Sequence, residues 1–152
     1  MSLLLDTGVL YGAIDGKDEH HEAAVRILEE AVRGLHGPVA VTSFIVSEAF
    51  TLLLARRHGV SAVQALAAAL WPEKGPVPIR VLDVPADVLP EIQVRFAKHY
   101  RRGLSFTDCA SLWALETYGI GKLATFDEGF LKSCARSLLQ AEGEAPDADG
   151  RI

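Results

Sequence analysis

Residues 3–8 read Leu3-Leu4-Leu5-Asp6-Thr7-Gly8, an apolar run closed by a carboxylate, and residues 123–127, Leu123-Ala124-Thr125-Phe126-Asp127, repeat the arrangement near the other end of the chain. A short apolar run bounded in this way is the pattern of a strand buried on both faces, and here its end presents an acid. Two further acids stand where the apolar pattern leaves no structural reason for one. Glu48 has Phe44 and Leu52 at i−4 and i+4, and Asp108 has Leu104 and Leu112, so each projects from a helical face that should be buried. A carboxylate there costs several kcal/mol unless it is paired, protonated or bound to a cation. If the fold gathers Asp6, Glu48, Asp108 and Asp127, their repulsion calls for a divalent metal ion, and the site is that of a metal-dependent phosphodiesterase.

Between the two strand-and-acid segments, helical and extended patterns alternate. A helical turn leaves Asp6 over 7–14, and a helix follows over 18–32, where Ala24, Val25, Leu28, Ala31 and Val32 keep helical spacing before Gly34 and Gly37. A strand fits 38–41; Thr42 or Ser43 caps a helix running through Glu48 to about Arg57, and Gly59 ends it. Ser61 caps another helix over 62–70, and a strand follows at 79–82. The helix over 87–100 tolerates Pro90 in its first turn and closes at Gly103. Ser105 opens the helix that carries Asp108 in an S-x-x-D capping-box variant, and a strand over 122–126 and a helix over 128–139 complete the pattern. This alternation predicts a three-layer α/β/α fold with a central parallel sheet covered on both faces. Ligands of such sheets collect beyond the carboxyl ends of the strands, which is where the four acids can meet in one crevice.

The 152 residues are 49% hydrophobic, enough for one core-bearing domain over 1–139. From Gln140 the composition turns to Gly, Ala, Pro and acids, which predicts a flexible tail over 140–152. No apolar run approaches the ~20 residues of a membrane span, and the N-terminus lacks a signal-peptide pattern, so a cytoplasmic protein is expected. Cys109 and Cys134 show no metal-ligand spacing and read as free thiols. His20-His21 lies beside Glu19 and Glu22, but neighbours on a helix point about 100° apart, and the pair reads as a solvated helix start.

A net charge of −5 leaves no global basic field, so any nucleic-acid contact must be local. The densest basic stretch, Arg95, Lys98, His99, Arg101 and Arg102, immediately precedes the helix of Asp108. It suits both a helix end, where cations complement the carbonyl dipole, and a phosphate contact, for which Arg95, Lys98, Arg101 and Arg102 are the candidates. The helices through Glu48 and over 62–70 carry Phe50, Leu52, Leu53, Leu54, Val63, Leu66, Leu70 and Trp71, more apolar surface than one face of a small sheet needs. Part of it is expected to form an intersubunit surface in a homodimer.

In this order and spacing, LLLDTGVLYGAID (3–15), TSFIVSEAFTLL (42–53), LSFTDCASLWALE (104–116) and KLATFDEGF (122–130) resemble the PIN-domain ribonucleases, most closely the VapC-type toxins of toxin–antitoxin pairs. The resemblance covers nearly the whole chain. It implies that Asp6, Glu48, Asp108 and Asp127 are the catalytic, metal-holding cluster, that Thr7 and Ser105 support it, and that the protein hydrolyses RNA with Mg²⁺ or Mn²⁺. It also implies a cognate antitoxin that lays an apolar segment in a nearby groove and directs a basic side chain at the acids. RNA hydrolysis needs an activated water, neutralised phosphate charge and a stabilised leaving oxygen, and hard divalent ions on oxygen ligands meet all three needs. Asp6 and Asp108 are the expected principal ligands, with Glu48 and Asp127 binding directly or through water.

Each acid taken singly has a plainer explanation. Asp6 and Asp127 could be N-caps, Asp108 a capping-box acid, and Glu48 half of an ion pair with Arg56 or Arg57. Four such accidents on one edge are less economical than one shared site. A phosphatase would need a second Asp where Gly8 stands, and a receiver domain would need an acidic pair that Leu5-Asp6-Thr7 does not supply. An RNA-processing nuclease outside a toxin system and a non-catalytic RNA- or protein-binding module remain as alternatives.

Overall fold

Leu3, Leu4 and Leu5 form strand β1 (Leu3–Leu5), without solvent exposure, at the centre of a parallel sheet. The computed structural model describes residues 2–75, 78–134 and 140–141. Strands β2 (Val39–Thr42) and β3 (Ile79–Leu82) lie to one side of β1, and β4 (Lys122–Ala124) and β5 (Gln140–Ala141) to the other, in the order β3-β2-β1-β4-β5. Every pairing is parallel, Leu5 standing opposite Ala124 and Thr42 opposite Leu82. Strand order reverses between β1 and β4. That is the switch point at which an open parallel sheet leaves a crevice beyond its carboxyl ends.

Helices α1 (Thr7–Ile14) and α2 (His21–Val32) connect β1 to β2, and α3 (Ser43–Ala55) and α4 (Val60–Leu70) connect β2 to β3. Right-handed crossovers in one direction place these four on one face. The return from β3 to β4 through α5 (Leu89–His99) and α6 (Phe106–Thr117) covers the other face, giving the expected three layers, and α7 (Glu128–Cys134) follows β4. Each strand is short, so the core is filled mainly from the helices. Leu10, Ile45, Leu53, Leu66, Leu70, Ile92 and Phe130 are essentially without exposure. Burying a side chain of this size fully contributes roughly 1.5–3 kcal/mol.

Local chemistry moved several boundaries. The second helix starts at His21 rather than near Asp18, because the Asp18 carboxylate accepts the His20 N–H at 2.8 Å and holds a turn there. Thr42, not Ser43, caps α3 by accepting from Ile45 N at 3.2 Å. Gly59 does not end α3. The chain turns at Arg57, φ +58°, with His58 N bonded to Leu53 O and Arg57 N to Leu54 O, a Schellman ending with arginine where glycine is usual. Gly59 instead stands before α4, which starts at Val60, so Ser61 lies inside that helix and does not cap it. The strand expected over 122–126 stops at Ala124, two residues early, where the Thr125 hydroxyl donates to Asp6 at the end of the central strand.

Of the surplus apolar residues on α3 and α4, Leu53, Leu66 and Leu70 fill the core. Leu54 (78% exposed), Trp71 (51%) and Val63 (39%) remain outside, as does Val60, and Phe50 stacks on Trp71 with ring centroids 6.2 Å apart. Cys109 is a buried free thiol, as expected. Gln140 and Ala141, read as the start of a tail, pair with Lys122 and Leu123 at the sheet edge; 142–152 lie outside the described residues.

Candidate active site

Asp6 leaves β1 as the N-cap of α1. Its Oδ1 accepts the Thr7 N–H at 2.8 Å and its Oδ2 accepts the Thr125 hydroxyl at 2.6 Å, while its backbone N–H donates to Ala124 O at 2.9 Å. It is 7% exposed. Burial, opposed by the Thr125 hydrogen bond and reinforced by the charges of Asp108 and Glu48, raises its pKa to about 6. Asp108 is held by a reciprocal capping box, its carboxylate accepting the Ser105 N–H at 2.7 Å and its own N–H donating to Ser105 Oγ at 3.0 Å. Its pKa is also raised, by burial first and then, against Ser105, by Asp127 and Glu48. Asp127 accepts the Phe130 N–H at 3.0 Å as α7 begins. Glu48 projects half-buried from α3 and, among the described residues, makes no ion pair with Arg56, Arg57 or any other cation.

The charges of Asp108 and Glu48 therefore reach Asp6, and those of Asp127 and Glu48 reach Asp108. The plainer explanations hold for three of them at the same time: Asp6 and Asp127 do cap helices and Asp108 does complete a capping box. Helix capping fixes where each carboxylate stands, and capping alone does not account for the buried charge. Among the described residues, no three carboxylate, histidine or cysteine groups stand close enough to share an ion. The donor set nevertheless suits a hard divalent cation, being all oxygen and without a cationic side chain paired to it. Thr7 Oγ1 adds a buried hydroxyl beside Asp6 with no hydrogen-bond partner.

Thr125 is the residue that sequence reasoning missed. Its hydroxyl donates to Asp6 and accepts the Asp127 N–H at 3.0 Å, so it joins the two strand ends. A buried threonine one position past an all-apolar strand pair was the available signal. His20, read as part of a solvated helix start, stacks on Phe126 with centroids 4.3 Å apart. In the basic stretch, Arg95 is engaged by Glu116 and Glu91. Lys98, Arg101 and Arg102 are exposed and form no salt bridge among the described residues, and burial together with Arg102, Lys98 and Arg95 lowers the pKa of His99.

The profile of the PIN domain matches residues 3–135, and the chain belongs to that family. Among its relatives it is similar to a VapC ribonuclease of Archaeoglobus fulgidus, 32% identical over 130 residues that make up 86% of this chain and 80% of the other. Its fold is similar to the crystal structure of Mycobacterium tuberculosis VapC20, a toxin that cleaves the sarcin–ricin loop, with a TM-score of 0.70 and 26% identity over 86% of this chain and 94% of that one. It also matches the fold of PAE2754 from Pyrobaculum aerophilum at a TM-score of 0.54 and 23% identity, over 91% and 92% of the two chains.

Proposed function

We propose that this chain is a divalent-cation-dependent endoribonuclease and the toxin of a toxin–antitoxin pair. The observation that carries the reading is the buried Asp6 carboxyl at the β1/β4 switch point, with a pKa of about 6 and two further acids pressing on it. Such an arrangement is unfavourable in the free protein and becomes favourable when a cation neutralises it. The VapC-type relatives supply the substrate class, RNA.

Asp6 and Asp108 would hold Mg²⁺ or Mn²⁺, with Glu48 and Asp127 contributing directly or through water. When bound, the cation neutralises phosphate charge, lowers the pKa of an attacking water and stabilises the leaving oxygen. The protein's part is positioning. Thr7 N–H and the Thr125 hydroxyl fix the two oxygens of Asp6, Ser105 fixes Asp108, and the first turn of α7 fixes Asp127. Lys98, Arg101 and Arg102 supply local positive charge for the RNA backbone, and the exposed Leu54, Val63 and Trp71 supply apolar surface for a second subunit or an antitoxin segment. Among the described residues no helix is long and apolar enough to cross a membrane, and a cytoplasmic location fits an RNA substrate.

Cleavage of single-stranded and structured RNA should appear with added Mg²⁺ or Mn²⁺ and vanish on chelation. Persistent cleavage in excess chelator would sink the metal reading, and tight RNA binding without any cleavage would favour a non-catalytic module. An antitoxin encoded next to this chain distinguishes a toxin from a processing nuclease. For the subunit surface, sedimentation at micromolar concentration should give a dimer; a species of 16.4 kDa would reject it.

A further inference from the structure

The acidic cluster occupies one end of a seam between α1 and α3, and a cavity with the opposite charge occupies the other. The two helices pack on each other: Asp6, at the start of α1, senses Glu48 in the middle of α3, and Tyr11, further along α1, meets His58 just beyond the end of α3. Thr7, Tyr11 and Ile14 fall at i, i+4 and i+7 on α1, and Glu48, Leu52 and Arg56 at i, i+4 and i+8 on α3. These stripes lead from the acids to a cavity lined by Tyr11, Asp15, Lys17, Arg56, Arg57 and His58, together with the first turns of α4. Among the described residues, Lys17, Arg56 and Arg57 have no carboxylate partner.

The cavity is built rather than incidental. The Tyr11 hydroxyl donates to Asp15 Oδ2 at 2.7 Å and stands 2.9 Å from His58 Nε2, which is itself 3.5 Å from the same carboxylate oxygen. Asp15 also accepts the Lys17 N–H at 3.0 Å, so the one acid in the cavity is already engaged. Arg56 lies over the Tyr11 ring, 5.8 Å from its centroid, which fixes the guanidinium on the cavity wall. Arg57 holds a left-handed backbone that α2 and α6 give to Gly34 and Gly119 in their own turns. Retaining arginine in that conformation costs about 1 kcal/mol relative to glycine, an outlier that calls for a role for the side chain.

We infer that the cavity of Lys17, Arg56 and Arg57 binds a backbone phosphate of the RNA strand whose scissile phosphate lies at the acidic cluster. The inference rests on the nuclease reading for the identity of the strand. Eight residues of α3 separate Glu48 from Arg56, a rise of about 12 Å. That spans three or four stacked nucleotides at roughly 3.4 Å each. In a chain of net charge −5, three cations without carboxylate partners on one wall form a local attraction for a polyanion.

The test uses the full chain and a fluorescein-labelled 12-nucleotide single-stranded RNA in EDTA, with anisotropy titrations across a range of NaCl. Lys17→Gln/Arg56→Gln/Arg57→Gln should weaken binding at least tenfold at low salt and make the log–log salt slope shallower by about 0.7 for each phosphate that is no longer neutralised. Arg26→Gln/Arg33→Gln removes two charges, one in α2 and one at its C-cap, without touching the cavity. An unchanged slope in the triple variant, or an equal change in the α2 control, overturns the inference. Reinstating Arg57 as Lys in the triple variant should recover part of the slope, and failure to recover any also counts against the pocket. Cleavage with added Mg²⁺ is scored separately. A chain that cuts no RNA yet loses binding in the triple variant keeps the pocket and loses the nuclease reading, whereas cutting with an unchanged slope does the reverse.

Discussion

Thr125 Oγ1 donates to Asp6 Oδ2 at 2.6 Å across a sequence separation of 119 residues, and the same oxygen accepts the Asp127 N–H. One hydroxyl thus orients the most buried carboxylate in the site and lowers its pKa against the larger effect of burial. Thr125→Val keeps the shape and removes the donor. The Asp6 pKa should then climb further, because this hydrogen bond is what lowers it against burial. We expect kcat/KM for RNA to fall roughly 10–100-fold, as for other partners that orient metal ligands. The acid limb of the pH–rate profile should move to higher pH; a profile of unchanged shape would reduce Thr125 to a packing role.

The metal-free protein should lose stability as pH rises. Asp6 has a folded-state pKa of about 6 against an ordinary 3.8, so within that window the folded chain keeps a proton that the unfolded chain releases. Stability from this group is complete below the lower value and lost through the upper one, a difference of about 3 kcal/mol. Urea unfolding in EDTA at pH 4–7 should show the decline, and Asp6→Asn should flatten it while abolishing metal-dependent cleavage. Equal slopes in the two proteins would remove Asp6 as the source.

Asp108 carries two duties that substitutions can separate. Asp108→Ala breaks the capping box and should cost about 1 kcal/mol, whereas Asp108→Asn can still accept from Ser105 N–H and should remain near the parent stability or exceed it. Both should be inactive. Thermal unfolding of the pair beside an RNA-cleavage assay distinguishes the structural duty from the chemical one.

The basic stretch before α6 should divide in two. Arg95 is already engaged by Glu116 and Glu91, so Arg95→Ala should cost at most about 1 kcal/mol of stability and barely alter the salt dependence of RNA binding. Arg101→Ala/Arg102→Ala should weaken binding and flatten its salt slope by about 0.7 per phosphate released. Equal slopes for all three proteins would return Arg101 and Arg102 to the role of a helix end.

Arg57→Gly should stabilise the protein and weaken it as an RNA binder. Relief of the left-handed arginine is worth up to about 1 kcal/mol, or roughly 2–4 °C in Tm for a chain of this size. A lower Tm would show that the conformation carries no strain, and an undiminished RNA affinity would show that the guanidinium is not used.

Much of the fold was legible because the apolar runs and glycines are strong local signals. The four acids stood out for the same reason, each breaking a pattern that had no place for it. What was not legible depended on contacts between distant segments. Thr125 reads as one more strand residue until β4 is laid against β1 with Ala124 opposite Leu5. The Arg57 turn was hidden because Gly59, two positions on, offers the expected signal while the hydrogen bonds of α3 close earlier. Arg95 read as a phosphate-contact candidate because its Glu116 partner lies 21 residues away and faces it only after α5 and α6 pack.

The central position of β1 has a temporal consequence. Asp6 is separated from its neighbour strand β4 by more than a hundred residues of chain, so β4 and the acid that follows it can join β1 only after the intervening segment has been made. During vectorial synthesis, N-terminal segments condense first, and closures between distant segments are entropically the slowest. A chain grown only to residue 121 therefore has Asp6, Glu48 and Asp108 but neither Thr125 nor Asp127. The set of four acids is complete only once synthesis has passed residue 127.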